Sequence, residues 1–471
     1  MAQAVVWFRR DLRLADNPAL SAALESGLAP IPVYIHAPDE DAPWQPGAAS
    51  CTWLARSLRA LDADLRAMGS RLLILRGPSL ASLEALAAQT QAEAVFWNRL
   101  YEPASLERDR AVTQALRARG LRAEGHNAAL LVEPWTVATL GGEPYRVFTP
   151  FWKNAGRVVA ELRPQPAPRA LPPVPEALQS LSVDDLALEP LLSWDSGFWE
   201  HWRPGEAGAA EMLDVFMEGA ARGYAQQRNL PDRVGTSRLS PHLHFGEISP
   251  RQIARRVLDA GSAIDEPDRR QYLAELGWRE FAHHVLFHFP HTPERDLGDR
   301  FARFAWVEPD PKLLRRWQEG RTGIPLVDAG MRELWQTGWM HNRVRMVVAS
   351  LLTKNLRYHW RHGARWFWDT LVDADLAQNT QGWQWSAGTG ADAAPYFRIF
   401  SPSSQAERFD PAGRYIRRWV PELAKLPTPA LFQPWRQPDL LRELAPAYPG
   451  TPIVDLRESR EAALLAHQQS K

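Results

Sequence analysis

The stretch AVVWFRRDLRLADNPALSAALESG, residues 4–27, decides the fold of the first part of the chain. Its five leading residues, AVVWF, are apolar and are typical of a buried strand. Asn17 followed by Pro18 indicates a helix start, and Gly27 ends the helical pattern that follows. The stretch therefore predicts a strand that leads directly into a helix.

This strand–helix pairing repeats along the N-terminal part of the chain. Four more strand-like runs follow in order, PIPVYIHA, RLLILRG, AVFWN and LRAEGH, with helical patterns between them. Ser79 is expected to cap the helix after the third strand. Regular alternation of this kind predicts a doubly wound parallel sheet. Because no G-x-G-x-x-G motif follows the first strand, the usual dinucleotide-binding loop is not predicted.

The remainder of the chain has a different pattern. The segment RPQPAPRALPPVP, residues 163–175, contains six prolines and predicts a connection without regular structure. From Glu206 onward the apolar spacing is helical. We therefore expect an α/β domain over residues 1–131, a proline-rich interdomain connection over 132–205 and an all-helical domain over 206–471.

Composition limits the class of protein. The 55 basic residues are balanced by 55 acidic ones, which argues against a positively charged coat for bulk nucleic-acid binding but leaves a local basic face possible. The single cysteine, Cys51, excludes an internal disulfide and fits a reducing compartment. No apolar run reaches the roughly 18 residues that a membrane span needs, and the start lacks the pattern of a secretory signal. We expect a cytoplasmic monomer that binds no membrane.

Two helical segments mix charged, amide and apolar side chains on one face, which suits neither a simple core nor a solvated surface and favours a pocket wall. The two faces are Glu275, Trp278 and Arg279 in the first segment and Asn342, Arg345 and Met346 in the second.

Hydroxyl side chains gather in VGTSRLSPHL, residues 234–243, just before a helical pattern. That arrangement suits a phosphate. Thr and Ser also cap helices without binding a ligand, so both interpretations stay open.

No metal site is predicted. Asp373 and Asp375 are two residues apart, but a third oxygen ligand for Mg²⁺ or Ca²⁺ is not nearby in sequence. If the segment is helical, Asp375 and Asn379 share one face. The histidines of HHVLFHFPH, residues 283–291, lack the spacing of a zinc site and are expected to pack in the ordinary way.

Six segments in chain order together resemble the photolyase/cryptochrome flavoprotein family: VVWFRRDLRLADNPAL, GTSRLSPHL, WREF, TGWMHNRVRM, LVDADLAQNTQGWQW and ADAAPYFRIFSP. The likeness runs almost end to end. It is greatest to the bacterial cyclobutane pyrimidine dimer photolyases of the class I/III type, with a lean toward the subclass similar to plant cryptochromes. The resemblance implies light-driven DNA repair, in which a flipped-out dimer receives an electron from excited, reduced FAD.

The resemblance also implies residue roles. FAD, reduced and anionic in the active form, is implied to lie in the all-helical C-terminal domain, with Asn379 at the flavin N5. The implied cofactor-binding residues are Tyr224, Thr236, Ser237, Arg238, Leu239, Ser240, Arg279, Asn342, Arg345, Asp373, Ala374, Asp375 and Asn379. The implied contacts to the lesion and the DNA are Glu275, Trp278, Asn342, Arg343, Met346, Trp385, Arg398 and Gln405.

Catalytic roles are implied for Glu275, which is placed to hydrogen-bond the dimer, and for Asn379. An electron wire that recharges oxidised flavin is implied to run outward through Trp383, Trp360 and Trp306. The interval from Trp306 to Trp317 is one residue longer than usual for the family.

Other functions are weighed against the same residues. The (6-4) photolyases carry a histidine pair where this chain has Asn342 and Met346, and plant cryptochromes tend to carry Asp where this chain has Asn379. The chain also ends at Lys471 without a long signalling tail. A blue-light photosensor, a (6-4) photolyase, a dark flavin oxidoreductase and a DNA-binding module without catalysis are the alternatives, and all are less favoured.

A second, light-harvesting chromophore is implied for the N-terminal domain. Folate-binding relatives place Asn and Glu where this chain has Ala104 and Ser105. Folate is the first choice, while a deazaflavin or an empty antenna site remain alternatives.

Overall fold

The computed structural model describes residues 2–470. It contains the predicted parallel sheet of five strands, in the order β3-β2-β1-β4-β5. The strands are β1 (Gln3–Phe8), β2 (Ala29–His36), β3 (Leu73–Arg76), β4 (Ala94–Asn98) and β5 (Arg122–His126). Each coincides with a predicted run to within a few residues. The first four runs are mainly apolar and bounded by turn-forming residues, whereas β5 is largely polar and only Ala123 in it is buried.

The first helix begins as its sequence predicts. Asn17 accepts a hydrogen bond from the Leu20 N–H, and Pro18 occupies the first helical position. The expected cap at Ser79 is wrong: Ser79 lies inside its helix, and its N–H and hydroxyl both donate to the Glu40 carboxylate, at 2.7 and 2.5 Å. A carboxylate from another segment therefore binds the end of this helix.

Helices make up most of the remaining regular structure, and no strand follows β5 within residues 2–470. The helices are α1 (Pro18–Glu25), α2 (Ala48–Ala67), α3 (Ser79–Thr90), α4 (Pro103–Ala118), α5 (Phe148–Ala155), α6 (Glu206–Glu218), α7 (Tyr224–Gln227), α8 (Ser240–His244), α9 (Pro250–Asp259), α10 (Glu266–His288), α11 (Pro311–Gln318), α12 (Pro325–Thr337), α13 (Asn342–Ser350), α14 (Trp360–Thr370), α15 (Leu376–Ala387), α16 (Pro402–Phe409), α17 (Arg414–Trp419), α18 (Thr428–Phe432), α19 (Pro438–Leu444) and α20 (Leu456–Gln469). The predicted fold class, a parallel α/β sheet followed by an all-helical part, is confirmed.

The chain divides into two compact units. The first comprises the chain up to Arg222 together with Ser237–Pro290 and Val372–Leu376. The second comprises Gly223–Thr236, His291–Leu371 and the chain from Ala377 onward. The division into domains at residues 131 and 206 stays a prediction. None of the helices described is long and apolar enough to cross a membrane.

The proline-rich connection is part of the first unit rather than a free linker. Val174 and Leu178 are buried in the same apolar cluster as Val5 of β1 and Val95 of β4. The backbone of this segment is also tied down, since the Leu171 N–H donates to the Met68 carbonyl at 2.9 Å. Burial of apolar side chains thus orders a segment that its prolines keep out of helix and strand.

Candidate functional site

In the first unit, Asp375 brings three predicted site segments together. Its Oδ2 lies 3.5 Å from Nε2 of His283 on α10 and 3.8 Å from Nδ1 of His244 at the end of α8. α8 follows the hydroxyl-rich loop directly, and α10 carries the predicted pocket face. Asp375 itself precedes α15 by one residue, so the predicted helical pairing of Asp375 with Asn379 is wrong.

The electrostatics of this cluster follow from burial and charge. Burial raises the pKa of the Asp375 carboxyl, but His283 and His244 together hold the pKa well below its usual range. Burial lowers the pKa of His244, against the opposing effect of Asp375. The expectation that the histidines only pack in the ordinary way is therefore wrong for His283. Asp373 and Ala374 beside Asp375 are buried as well.

The residues of the predicted pocket face all lie on α10. Glu275, Trp278 and Arg279 are all half-buried. The Glu275 Oε1 accepts from the Gln271 amide at 2.8 Å, and the Arg279 guanidinium donates to the Ala129 carbonyl at 2.7 Å.

One face of the Trp278 ring is already covered. Phe148, the first residue of α5, stacks on it with ring centroids 3.8 Å apart and planes 9° apart. Sequence reasoning missed Phe148, since it lies far from Trp278 along the chain. An aromatic residue at a helix start, inside a connecting segment, is the only sequence signal for it.

The hydroxyl-rich loop has an unusual backbone. Arg238 adopts a positive φ of 53°, and Leu239 is fully buried. The Ser237 hydroxyl hydrogen-bonds Tyr272 on α10 and opposes the rise in the Tyr272 pKa that burial causes. Ser240 is the first residue of α8, and the N-cap position is occupied by Leu239, which makes no side-chain cap, so Ser240 is not the N-cap of this helix. Thr236 and Tyr224 belong to the second unit, where Tyr224 is buried beneath the Arg228 guanidinium.

In the second unit, Trp383 and Trp385 lie on α15 in different surroundings. Trp383 is buried, with its ring 5.0 Å from that of Phe367 and 6.2 Å from that of Trp317. A Cβ at Gly363 would lie 2.0 Å from the Trp383 ring, so only glycine permits this approach. Trp385 is half-buried, and its ring lies 6.5 Å from that of Phe400. Because residues two apart on a helix diverge by about 200°, the two rings face different ways.

The predicted outer wire residues lie in one aromatic region. The fully buried Trp360 begins α14, one turn before Gly363, and its Nε1 donates to the Asp296 carboxylate at 2.7 Å. The His359 ring lies between its neighbours, 5.4 Å from the Trp360 ring and 5.0 Å from the Trp306 ring.

The predicted DNA contact Arg343 sits in a cluster of arginines. Burial lowers the pKa of its guanidinium, and Arg228, Arg398 and Arg408 lower the pKa further by repulsion. Its Nη2 donates to the Asn229 amide oxygen at 2.7 Å, and its guanidinium lies 4.5 Å from the Phe409 ring centroid.

Arg228 and Arg408 were not predicted. Arg408 lies 5.1 Å from the Phe409 ring centroid, which the Arg343 guanidinium also contacts. Among the buried polar atoms of the second unit that have no hydrogen-bond partner in the described part of the chain are the Arg343 Nε and the Gln405 Oε1. Both belong to predicted DNA contacts.

The second predicted pocket face lies on α13. Asn342 begins the helix and is exposed, whereas Arg345 and Met346 are half-buried. The Arg345 Nε donates to the Met340 carbonyl at 2.8 Å. On α15, the Asn379 amide donates to the Ala364 carbonyl at 2.9 Å.

Two family models match the chain. Residues 4–173 match the DNA photolyase model, and residues 272–469 match the FAD binding domain of DNA photolyase. A deoxyribodipyrimidine photo-lyase from Agrobacterium fabrum is 44% identical and is aligned over 100% of this chain and 98% of its own length. The chain belongs to the DNA photolyase family.

Further relatives of this photolyase include plant cryptochromes. Cryptochrome-1 of Arabidopsis thaliana is 39% identical over 97% of this chain and 69% of its own length. The crystal structure of a bacterial class III photolyase from Agrobacterium tumefaciens superimposes with a TM-score of 0.96 at 44% identity, over 100% of this chain and 98% of that one.

FAD is the cofactor of this photolyase, and the chemistry of the predicted residues fits it. Guanidinium and hydroxyl groups in the predicted set suit a pyrophosphate, carboxylates suit sugar hydroxyls, and amides suit the edge of a flavin ring. The pKa of the buried Asp375 is held low by its histidines, so this carboxylate is ionised and both of its oxygens act as acceptors for hydroxyl donors.

Proposed function

We propose that this photolyase repairs cyclobutane pyrimidine dimers in DNA under blue light. The observation that carries the proposal is the arginine cluster around Arg343, in the same unit as the half-buried Trp385 ring. Clustered cations supply the sequence-independent affinity for phosphates on which DNA binding depends. An accessible aromatic ring supplies a face on which an extruded base stacks.

Lesion binding requires base flipping. A dimer inside a duplex is out of reach of a buried cofactor, and its extrusion costs a few kcal/mol, less at a damaged and poorly stacked site. Trp278 and Trp385 offset this cost by stacking, at about 1–3 kcal/mol per base. Met346 provides an adaptable apolar contact. Glu275, on the same face as Trp278, is assigned to the lesion in its protonated form, in which its carboxyl O–H donates to a pyrimidine carbonyl.

The chain's own residues hold and tune the cofactor. Reduced FAD supplies, when bound, the electron whose light-driven transfer splits the dimer. Tyr224 and the Thr236–Ser240 loop are assigned to its phosphates. Arg279, Asn342, Arg345, Asp373, Ala374 and Asp375 are assigned to the ribose and ring surroundings, and Asn379 to the flavin N5. An uncharged amide there adds no negative charge beside an anionic ring.

Trp383, Trp360 and Trp306 are assigned to electron supply from the surface. The burial of Trp383 and Trp360 and the short ring-to-ring path through His359 to Trp306 support this role. The ring contacts of His359 with Trp360 and with Trp306 support the outer part of this path.

A cavity in the first unit supports a second chromophore. Its volume is about 650 Å³, and Trp97, Trp135 and Phe287 line it together with Arg99, Arg110 and Arg117. Aromatic faces and guanidinium groups suit a flat, conjugated anion such as folate. Fluorescence of the cofactors released on denaturation identifies the occupant, and a spectrum of FAD alone removes the antenna assignment.

The substrate assignment is tested with two duplexes, one with a single cyclobutane dimer and one with a single (6-4) product. Since Asn342 and Met346 replace a histidine pair, chemically reduced enzyme is expected to repair only the dimer, and only under blue light. Repair of the (6-4) strand alone overturns the assignment. Repair of neither strand by protein with a normal flavin spectrum makes the chain a photosensor instead.

A further inference from the structure

Lys354 is a buried cation that the proposed repair chemistry does not use. It lies on the π-helical turn Leu351–Asn355 that continues α13, and its side chain is fully buried. π-Helical turns are rare and are frequent at functional sites. Burial lowers the pKa of the Lys354 amine to about 8, and Arg398 adds to the effect. An interior ammonium is costly unless it is compensated, so its position calls for a reason.

The Lys354 amine binds one defined backbone segment. Its Nζ donates to the carbonyl of Arg398 at 2.9 Å and lies 5.4 Å from the Tyr396 ring centroid. Ser350 lies four residues earlier, and its Oγ accepts from the Phe400 N–H at 3.2 Å. Residues four apart on a helix share one face. One face of this helix therefore anchors the segment 398–400 at both ends.

The anchored segment carries groups that face the proposed DNA site. Arg398 is exposed and belongs to the cluster that lowers the pKa of Arg343. Its guanidinium lies 5.4 Å from the Phe400 ring centroid, and the Phe400 ring in turn lies beside that of Trp385, with planes 23° apart. A shift of this backbone moves both a phosphate contact and the support of the stacking ring.

We infer that Lys354 is a positioning residue for DNA recognition. Its amine fixes the backbone at Arg398, so that the guanidinium joins the arginine cluster and Phe400 supports Trp385. This inference rests on the proposed function, because DNA binding is what gives the anchored segment its use. The hydrogen bond from the amine offsets part of the free-energy cost of burying a cation. The rest of this cost lowers the stability of the fold, and we attribute its retention to DNA binding.

The effect of the Lys354 charge on the free energy of unfolding distinguishes a positioning residue from a residue that stabilises the fold. An unfolded lysine keeps its proton to about pH 10.4, whereas folded Lys354 loses it near pH 8. The folded state therefore binds fewer protons between these values, and the charge costs stability at neutral pH. Replacing it with an uncharged side chain of similar length is expected to preserve or raise the melting temperature.

Lys354→Met tests the inference against Lys425→Met, in which an exposed lysine of the same unit is changed. Affinity is measured for a duplex with one cyclobutane dimer and for the same duplex undamaged, together with the melting temperature. Lys354→Met is expected to melt no lower than the wild type and to bind the dimer duplex about tenfold more weakly, as for the loss of one charged contact. The preference for the damaged duplex should narrow, since Trp385 loses support. Lys425→Met should match the wild type.

Ser350→Ala provides a second variant, because it removes the other anchor without changing charge. It is expected to weaken binding of the dimer duplex by a smaller factor, and it decides the question if Lys354→Met does not fold. Affinities equal to those of Lys425→Met overturn the inference. A wild-type protein that fails to prefer the dimer duplex refutes the proposed function instead, and that failure is seen before any variant is compared.

Discussion

Two charged regions of this photolyase differ in how far the fold pairs their side chains. At the carboxyl ends of β1 and β4, Arg9 donates twice to Asp109, at 2.6 and 3.0 Å, and Asp109 also accepts from the Trp97 indole at 3.1 Å. Around Arg343, burial lowers the pKa of its guanidinium, and repulsion from three other arginines lowers this pKa further. Opposite charges meet in the first region, and like charges gather in the second.

This difference indicates that the paired region stabilises the fold and that the arginine cluster binds a ligand. The edge where β1 and β4 meet is the place where doubly wound sheets often bind ligands. Here the Asn98 amide donates to Asp11 at 2.6 Å and to Asn17 at 2.7 Å, and both partners are buried. Because the members of this network bond each other, their polar groups offer little to a ligand at this edge, although Trp97 and Asp109 also line the cavity proposed for the second chromophore. Like charges repel, so a cluster of them is retained where an anion neutralises it.

Trp383→Phe is the change with the largest expected effect. It tests whether aromatic rings, like the charged residues, divide into those enclosed by the fold and those available to DNA. Trp383 is enclosed by Phe367 and Gly363 and offers no face to DNA. We expect photoreduction of oxidised FAD, followed by absorbance under blue light, to be lost. Repair by chemically reduced enzyme should be largely intact. A pre-reduced variant that binds damaged DNA but leaves it unrepaired would show that Trp383 acts on the lesion.

Asp109→Ala removes the carboxylate that pairs with Arg9 in the first region. It leaves the buried Arg9 guanidinium without its carboxylate, and we expect the free energy of unfolding to fall by about 3–5 kcal/mol. Urea denaturation measures the loss. Asp259→Ala is the control, because its partner Arg255 is on the surface and such pairs contribute about 0–1 kcal/mol. Equal losses for the two variants would contradict the architectural role, whereas the DNA affinity of the folded protein should stay unchanged.

Trp385→Ala removes the half-buried ring that neighbours the arginine cluster through Phe400. Loss of one stacking face should weaken binding of dimer-containing DNA by about 1–3 kcal/mol. Binding of undamaged DNA, which depends on phosphate contacts, should change little. Titration of matched duplexes provides the comparison, and equal weakening on both would assign Trp385 to the backbone site.

The fold was largely predictable because its signals are local. Asn17, Pro18 and Gly27 mark one helix within a dozen residues, and the apolar runs of the sheet are short and clearly bounded. The sites were predictable only as residue types, through the family resemblance. Asp375 meets His283 and His244 through tertiary packing, which no local pattern encodes.

The same limit applies to the second unit. Arg228, Arg343 and Arg408 lie on three separate segments, and their proximity is a property of the folded chain. The π-helical turn at Lys354 could not be predicted from the sequence either, because its residues, LLTKN, also occur in ordinary α-helices. The helix cap at Ser79 was wrong because a distant carboxylate, Glu40, binds that hydroxyl.

The salt dependence of DNA binding tests most directly whether the arginine cluster is a phosphate site. The slope of log affinity against log salt concentration is measured for the wild type, Arg343→Ala and the control Arg255→Ala, whose partly exposed arginine already pairs with Asp259. We expect Arg343→Ala to flatten the slope by about 1 and to weaken binding to damaged and undamaged duplexes alike. It should not lower the melting temperature, since a repulsive charge is removed. A slope equal to that of the wild type and of Arg255→Ala would show that the arginine cluster around Arg343 is not a phosphate site.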